Sequence, residues 1–381
     1  MRKKRFYTLY LTTRNQHLVK DEGMVPYYLS KLGYESHFVS FLERNPNDEF
    51  QKEVGNLIFH TLKRKKKLPS QPPLMMAYWE AFKFLLTHRK DIDVLNLYYI
   101  KHSILYGAFF KLIHPKGVLY LKMDMDPLQL EKEIKQRFHV IRKCIYKFYL
   151  HHIVDKVTAE SLRGYNLLKS HYSLPDTKLM YMPNGIDDRY LEDAPVNAYT
   201  EKKNLIITVG RIGTYQKHTE MLLEACKSVK WKDDWELHLI GPISEPFKDK
   251  IRDFYRETSL ENRVKFIGPI WDKKELFAYY NQSKVFCMTS RYESFGFVCV
   301  EAQAFGNWLL TTPIVTAPDF ISEGEFGDYV HDAKELSQKI SHIIENQHAY
   351  GVISDDIVNF ARDKFRWSKL CMSLDRFLDK K

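Results

Sequence analysis

Cysteine pairs are absent from this sequence. The chain has five cysteines, which lie far apart, and no two of them form a CxxC pair. This spacing excludes the disulfide framework of a small secreted protein and the paired ligands of a structural zinc site. We therefore expect reduced, mostly buried thiols in a cytoplasmic protein.

Long apolar runs are absent as well. A transmembrane helix needs about 20 consecutive, predominantly apolar residues. The longest candidate stretch, from Leu95 to Ile113, is interrupted by Lys101, His102 and Lys111. The sequence therefore predicts a chain that does not span a membrane, and it leaves open a peripheral position on the inner face of the cell membrane.

Acidic residues are scarce in the first half of the chain. Residues 1–190 contain 32 Lys and Arg against 19 Asp and Glu, whereas the remainder contains 26 against 29, so the first half carries the excess behind the net charge of +10. The densest basic run is Lys63 to Lys67. A solvated face explains such a run, and an anionic membrane surface or an anionic acceptor are the functional alternatives. No helix-turn-helix, zinc-finger or stacking-sheet signature accompanies the charge, so we expect no nucleic-acid partner.

A set of residues with metal-ligand spacing is also missing. Asp124 and Asp126 form a pair, but no matching group of acidic residues lies near them in the sequence. A divalent cation normally requires more oxygen ligands than such a pair supplies. We therefore expect no metal site.

What the sequence does contain is an alternation of strands and helices over a length too great for one core. Continuous apolar runs such as Val94 to Tyr98 and Val118 to Met123 predict buried parallel strands. The alternation predicts an α/β protein with two parallel sheets. Residues 45–75 are predicted to be irregular, and a single helix is predicted from Asp355 to Leu378. Pro26 is expected in the first turn of a helix that begins near Met24.

Two glutamates, Glu293 and Glu301, lie eight positions apart after the predicted strand Val285 to Thr289. The run from Phe297 to Phe305 predicts a helix, so Ser294-Phe295-Gly296 forms a strand-to-helix turn. Both carboxylates then lie on about the same helix face, and the helix N-terminus favours an anion between them. Carboxylates accept hydrogen bonds from hydroxyls, so the arrangement suits a nucleotide-sugar. Two surface glutamates on an amphipathic helix are the simpler alternative.

A second group of residues also points to a diphosphate. The predicted strand Leu205 to Val209 ends in Gly210-Arg211, and Lys217 follows six residues after Arg211. Arginine offers a forked pair of donors and lysine a point charge, so the two cations suit a diphosphate.

Four dispersed elements together resemble the family-4 retaining glycosyltransferases. In chain order they are Pro183 to Asp187, Gly210 to Lys217, Val264 to Gly268, and Glu293 to Glu301. The resemblance implies the GT-B fold, in which two Rossmann-like, doubly wound parallel-sheet domains flank an interdomain cleft and a C-terminal helix crosses back. It implies an acceptor-binding domain over residues 1–190, joined by a helix at about 365–381, and a nucleotide-sugar-binding domain over residues 191–364.

The same resemblance implies roles for individual residues. Arg211, Lys217 and Glu293 are expected to be catalytic, and Gly23 to lie in the loop that faces the phosphates and the acceptor. Family members place a histidine near the donor sugar, and this sequence departs from that pattern: Asp124 or Lys122 is the candidate replacement, and a solvated loop at the strand end is the alternative. The donor-binding residues are expected to be Gly210, Arg211, Lys217, Gly268, Pro269, Ile270, Glu293, Ser294, Phe295, Gly296 and Glu301.

The implied activity is a retaining hexosyl transfer from a nucleotide-diphosphate sugar to a saccharide or lipid-linked acceptor, without a metal or cofactor. UDP is favoured over GDP as the nucleotide. The implied setting is the synthesis of a surface polysaccharide, lipopolysaccharide or glycolipid. The alternatives are a GT-B nucleotide-sugar-binding protein with another activity, such as epimerisation, and one without catalysis.

Overall fold

A computed structural model describes residues 2–45, 47–63, 74–123, 128, 131–132, 139–192, 195–232 and 234–380. The chain forms two compact units. The first domain consists of Met1–Gly185 together with Trp367–Lys381, and the second domain is Ile186–Arg366. No helix among the described residues is long and apolar enough to cross a membrane.

The first domain is built on a parallel sheet. Its strands, within the described residues, are β1 (Arg5–Leu9), β2 (Glu35–Ser40), β3 (Ile58–Thr61), β4 (Val94–Tyr98), β5 (Val118–Met123), β6 (Lys156–Ala159) and β7 (Leu179–Tyr181). They pair in the order β3-β2-β1-β4-β5-β6-β7. All five residues of β4 are buried, which is the pattern of a parallel strand covered on both faces.

Helices cover this sheet. They are α1 (Asp21–Lys31), α2 (Glu49–Glu53), α3 (Leu74–His88), α4 (Ile100–Ile113), α5 (His139–Phe148), which continues into a π-helix (Tyr149–Ile153), and α6 (Leu162–Tyr172). The last helix of the chain, α16 (Trp367–Asp379), packs against α1. Its residues Leu370, Leu374 and Phe377 are buried, so this C-terminal helix completes the first domain.

The second domain contains a second parallel sheet, ordered β10-β9-β8-β11-β12-β13 within the described residues. Its strands are β8 (Leu205–Val209), β9 (Glu236–Ile240), β10 (Val264–Gly268), β11 (Val285–Met288), β12 (Trp308–Thr311) and β13 (Gly327–Tyr329). Its helices are α7 (Arg189–Glu192), α8 (Thr219–Cys226), α9 (Phe247–Thr258), α10 (Lys273–Gln282), α11 (Phe297–Gln303), α12 (Ala317–Ile321), α13 (Ala333–Glu345), α14 (Gln347–Val352) and α15 (Ser354–Lys364).

The two parallel sheets confirm the predicted fold class, whereas three local predictions are wrong. Pro26 lies inside α1 and not in its first turn, because the helix begins earlier, at Asp21. Residues 45–75 contain α2 and β3 and are therefore not wholly irregular. The predicted helix from Asp355 to Leu378 is two helices, because the chain breaks at Phe365-Arg366, where Arg366 pairs with Asp188.

Candidate functional site

The candidate site lies at the carboxyl edge of the second sheet. Strands β8 and β11 are neighbours, with Ile206 opposite Val285 and Ile207 opposite Phe286. Because both strands run in the same direction, the loops that follow them leave the sheet at the same edge. One loop carries Arg211 and Lys217, and the other carries Glu293. The sheet therefore brings together residues that are about 80 positions apart in the chain.

Lys217 and Glu293 form an ion pair. The Nζ atom of Lys217 donates to Oε1 of Glu293 at 2.6 Å. The two side chains are 18% and 11% exposed, so the pair is largely withdrawn from water. Ser290 Oγ lies 2.7 Å from the same carboxylate oxygen and donates a second hydrogen bond. Glu293 thus holds the ammonium group of Lys217 at the edge of the sheet.

Gln216, which the sequence analysis did not single out, links the rest of the group. Its Nε2 atom donates to Glu293 Oε2 at 3.1 Å, and its Oε1 accepts from Arg211 Nη2 at 2.5 Å. A side-chain amide both donates and accepts, so it can join a carboxylate to a guanidinium. In the sequence, the one indication that Gln216 could belong to the site was its position next to Lys217. The result is a connected chain of side chains from Arg211 through Gln216 and Glu293 to Lys217.

Backbone and side-chain bonds tie the two loops to each other. Thr289 Oγ1 lies 3.1 Å from the carbonyl oxygens of both Lys217 and His218. The Arg291 amide donates to the Gln216 carbonyl at 2.8 Å. These bonds hold the Lys217 loop in place relative to the loop that carries Glu293, so the ion pair does not depend on two freely moving segments.

Gly210 makes room for the Lys217 side chain. A Cβ atom at position 210 would lie only 2.9 Å from Cε of Lys217. The missing side chain therefore lets lysine lie over the end of β8. A small pocket opens here, and its lining includes Thr208, Gly210, Lys217, Thr289 and Ser290. Its polar wall consists of hydroxyls and the lysine ammonium, which suits an anionic group.

Glu301 belongs to the same region but has a different partner. Its Oε2 atom accepts a hydrogen bond of 3.0 Å from the Tyr280 hydroxyl, and the Tyr280 residue is fully buried. Burial raises the pKa of Glu301, whereas Lys273 and the Tyr280 bond act in the opposite direction. Burial also raises the pKa of the Cys299 thiol, and both Glu293 and Glu301 add to this rise. Cys299 is therefore within electrostatic reach of both carboxylates.

The turn between the two glutamates is shaped by packing. Phe295 is 1% exposed and meets Phe320 edge-on, so its side chain belongs to the core. Gly296 has φ +103, a conformation that favours glycine. Ser294 is exposed. The helix α11 that follows has seven residues and ends at Gln303, before the predicted end at Phe305.

The predicted base-binding residues lie two strands away from β8, at the end of the edge strand β10. Gly268 ends the strand with φ +86, and a Cβ there would meet no atom within 4 Å. Pro269 is exposed and Ile270 is half-buried against the core. The Gly268 carbonyl accepts from the Gly241 amide at 2.8 Å, which links this turn to the turn after β9.

In the first domain, Gly23 lies within the first turn of α1 and not in a loop ahead of it. A Cβ there would lie 2.1 Å from the Leu18 carbonyl oxygen, so this glycine allows a close backbone approach. Lys122 is 0% exposed, and its Nζ lies 3.0 Å from Asp21 Oδ2 and 2.9 Å from Asn184 Oδ1. These bonds hold its ammonium group inside the protein. Asp124 lies outside the described residues, as does Asp126.

Across the part of the chain that the structure describes, no group of three or more His, Cys, Asp or Glu side chains is arranged to hold a metal ion. Arg211 and Lys217 are the positive charges joined to Glu293 in the connected group. The arrangement can bind an anion through these two cations and the neighbouring hydroxyls, and it can orient the lysine through Glu293.

A family model for glycosyl transferases group 1 matches residues 191–360, which include this site. A protein from the cps region of Klebsiella pneumoniae, of unknown activity, is 32% identical over 293 residues, covering 74% of this chain and 77% of that protein. The amylovoran biosynthesis glycosyltransferase AmsD of Erwinia amylovora is 28% identical over 243 residues, covering 58% of this chain and 66% of AmsD.

The fold is shared over the whole chain. The structure of Alr3699/HepE from Anabaena, solved in complex with UDP, has a TM-score of 0.74 to this chain at 16% sequence identity. The match covers 99% of this chain and 100% of the Anabaena chain. The family model, the relatives and the two parallel-sheet domains lead to the same conclusion. The protein belongs to the group 1 glycosyl transferases and has their GT-B fold.

Proposed function

We propose that this protein is a retaining glycosyltransferase that moves a hexose-type sugar from a nucleotide-diphosphate sugar to a saccharide or lipid-linked acceptor. The observation that carries the proposal is the connected group of Arg211, Gln216, Glu293 and Lys217 at the edge of the second sheet. Two linked cations, of which Lys217 lines a polar pocket, suit a departing diphosphate.

The proposed chemistry assigns Arg211 and Lys217 to the leaving group. As the bond between the anomeric carbon and the phosphate oxygen breaks, negative charge grows on the diphosphate. The acceptor oxygen bonds to the same face of the anomeric carbon, and its proton passes to the leaving diphosphate. Donors that are already in place stabilise the growing charge without reorganising at that moment. Glu293 positions Lys217, whose ammonium has three donors and retains donors for phosphate.

UDP is the nucleotide that we favour. The Anabaena protein with the shared fold was solved in complex with UDP. We place Glu301 at the ribose, because it lies on α11, eight positions after Glu293, and its carboxylate accepts hydroxyl donors, as the Tyr280 bond shows. Gly268, Pro269 and Ile270 are proposed to meet the base.

The acceptor class follows from the relatives. AmsD is named for amylovoran biosynthesis, and the Klebsiella protein is encoded in a cps region. We therefore propose a role in surface polysaccharide, lipopolysaccharide or glycolipid synthesis, in the cytoplasm at the inner face of the cell membrane. The excess of positive charge over residues 1–190 is the reason for including a lipid-linked acceptor.

The test begins with binding. Thermal unfolding of the purified chain is followed with a panel of UDP-sugars and GDP-sugars, because a ligand that binds only the folded state raises Tm. The sugar that gives a shift is then supplied with acceptor glycans, and the anomeric configuration of the product is determined by NMR. An α-linked donor should give an α-linked product. An inverted product would reject the retaining mechanism, and an epimerised free sugar nucleotide would favour the epimerase alternative.

Metal independence is tested in the same assay. We expect transfer to continue in EDTA, since Arg211 and Lys217 supply the positive charge that a metal would otherwise provide. Full loss of activity that magnesium or manganese restores would instead assign the leaving-group charge to a cation.

A further inference from the structure

Helix α5 (His139–Phe148) exposes its apolar residues to solvent. Val140, Ile141, Ile145 and Phe148 are 50–70% exposed. With Cys144, which is also exposed, these residues form what we call the α5 stripe. Positions 140, 141, 144, 145 and 148 share one side of a helix with 3.6 residues per turn. All five residues lie in the described part of the chain.

The opposite side of the same helix is packed against the first domain. Tyr146 is 7% exposed and belongs to the core cluster, together with Tyr149 and Leu150 of the π-helix that follows. An amphipathic helix usually buries its apolar face. Helix α13 of the second domain does so, with Leu336, Ile340, Ile343 and Ile344 buried. Helix α5 thus has a packed face and a second, apolar face that is exposed among the described residues. Large exposed apolar patches of this kind mark interaction sites.

The charges beside the stripe indicate its partner. Helix α5 contains Arg142, Lys143 and Lys147 and no acidic residue. Lys147 is exposed, and Arg142 and Lys143 are half-buried. Basic residues that flank an apolar stripe are the pattern of a helix that lies in the surface of an anionic bilayer, with the apolar side chains below the headgroups and the cations among them.

A second copy of the chain fits this surface less well. A two-fold dimer formed through the stripe would bring the same three cations of each helix face to face. Like charges across an interface oppose association, whereas anionic headgroups are attracted. At 10 residues the helix is about 15 Å long, so it is too short to cross the roughly 30 Å hydrocarbon core and would lie parallel to the surface.

We propose that the α5 stripe is a membrane-docking surface and that it inserts Val140, Ile141, Ile145 and Phe148 into the interface of an anionic lipid bilayer. Leu105 and Leu112 of α4, 56% and 78% exposed, are further exposed apolar side chains on a helix that contacts the π-helix continuing α5. The proposal goes beyond the glycosyl transfer above and rests on none of its steps. It also differs from docking through the basic run Lys63–Lys67, of which residues 64–67 lie outside the described part of the chain.

The first experiment is vesicle co-sedimentation of the full chain. Vesicles of phosphatidylcholine and phosphatidylglycerol in roughly equal amounts are compared with vesicles of phosphatidylcholine alone. The double variant Ile141→Ser/Phe148→Ser should lower partitioning to the anionic vesicles by about tenfold or more. Its matched control is Leu32→Ser/Val352→Ser, which changes two exposed apolar residues outside the stripe and should bind like the unmodified chain.

The charge contribution is tested separately. Lys143→Gln/Lys147→Gln should weaken binding to anionic vesicles by about tenfold and make it less sensitive to salt. Lys248→Gln/Lys250→Gln removes two exposed lysines of the second domain and should have little effect.

Cys144 provides a direct probe, because the other four cysteines are buried. An environment-sensitive fluorophore attached to Cys144 should shift to the blue when anionic vesicles are added. The same dye on Lys248→Cys in a Cys144→Ser background should not shift.

Two outcomes would overturn the proposal. One is equal sedimentation of the stripe variant and the unmodified chain. The other is self-association, measured by analytical ultracentrifugation, that disappears in the stripe variant while no form binds vesicles, since this would make a second copy the occupant. Retained Tm and a retained Tm shift with UDP show that each variant is folded and that its donor site is intact. Failure of docking is thereby distinguished from failure of the proposed function.

Discussion

Lys217 is a positively charged side chain that lies at the candidate site. It contacts Glu293 at 2.6 Å and borders the pocket at the end of β8. Sequence analysis brought Lys217, Arg211 and Glu293 together through the dispersed elements that resemble the family. It did not predict Gln216 or Ser290, because their contacts exist only once the loops after β8 and β11 meet.

Replacing Lys217 tests its proposed role. We expect Lys217→Ala to lower kcat by about 10²–10³-fold, the usual effect of removing one donor that stabilises transition-state charge. Arg211→Ala should act in the same direction. Stability should change little in Lys217→Ala, since Ser290 and Gln216 still donate to Glu293. Steady-state kinetics and thermal unfolding are the measurements.

The matched control is Lys227→Ala, directly after helix α8, whereas Lys217 lies in the loop before that helix. Lys227 forms surface ion pairs with Glu224 and Glu257, and such pairs contribute about 0–1 kcal/mol. Its kcat should match that of the unmodified chain. Normal kinetics in both Lys217→Ala and Arg211→Ala would remove these residues from the mechanism.

Lys202 gives the second domain a dependence on pH. Its side chain donates to the carbonyls of Ser283, at 3.0 Å, and Phe305, at 2.5 Å, and the residue is 4% exposed. Burial, aided by Lys284, lowers its pKa from 10.5 to about 7. Above about pH 7 the folded chain releases this proton, while the unfolded chain holds it up to a pH near 10.5. The unfolded state then binds more protons, so stability rises with pH in this window.

We therefore compare the free energy of unfolding of the unmodified chain with that of Lys202→Met. The difference should rise with pH above about pH 7, by at most about 1.4 kcal/mol per pH unit. Below about pH 7, Lys202 is protonated in both the folded and the unfolded state, so the difference in free energy of unfolding between the two chains should not change with pH. Urea denaturation from about pH 6 to about pH 10 measures it. Lys203→Met, at the exposed neighbouring position, should leave the pH dependence unchanged. A difference between the unmodified chain and Lys202→Met that stays constant across the window would contradict the assignment.

At the scale of elements, the sequence predicted the buried strands more accurately than the turns and the edge strands. The predicted bounds of β4 and β5 are confirmed, because a strand buried on both faces is a continuous apolar run. Strand β3 was missed because it is an edge strand whose residues are half-buried or exposed, starting with an exposed Ile58. Its existence depends on backbone pairing with β2, which hydrophobicity does not report.

The loop between β8 and α8 depends on Gly213. This residue has φ +78, and a Cβ there would lie 2.2 Å from Cγ of Phe247. We expect Gly213→Ala to combine backbone strain of roughly 1–2 kcal/mol with an overpacking cost of roughly 1–3 kcal/mol. Gly268 has φ +86 and open space around it, so Gly268→Ala should show the strain alone.

Chemical denaturation of both variants measures the difference. A larger loss in Gly213→Ala is the expected result, and trimming Phe247 to Leu in the same chain should recover part of it. Equal losses in the two alanine variants would mean that the Phe247 contact relaxes without cost.

At the scale of the whole molecule, the first domain uses both ends of the chain. Helix α16 buries Trp367, Leu370, Cys371, Leu374 and Phe377, and its Asp375 accepts from the Tyr34 hydroxyl at 2.6 Å. Each fully buried apolar side chain contributes about 1.5–3 kcal/mol, so the helix contributes an amount comparable to the net stability of a domain.

Truncation after Arg366 should therefore remove the cooperative unfolding of the first domain and leave that of the second domain. Differential scanning calorimetry of the truncated chain should show only one of the two unfolding transitions expected for the full chain. Deleting only residues 380 and 381 is the control and should leave both transitions. A first-domain transition at its normal temperature in the truncated chain would show that α16 is dispensable.

The use of both chain ends also sets an order for synthesis. The ribosome must complete the 181 residues from Ile186 to Arg366 before α16 emerges. At about 5–20 residues per second this interval lasts roughly 10–40 s. Throughout it, the surface of α1 that later receives Cys371 beside Val25 remains uncovered. The second domain, whose segment is continuous, is free to fold first, although most of the first domain precedes it in the sequence. A nascent chain of this protein is therefore most exposed to aggregation and to chaperones through residues 1–185, until residues 367–381 have been synthesised.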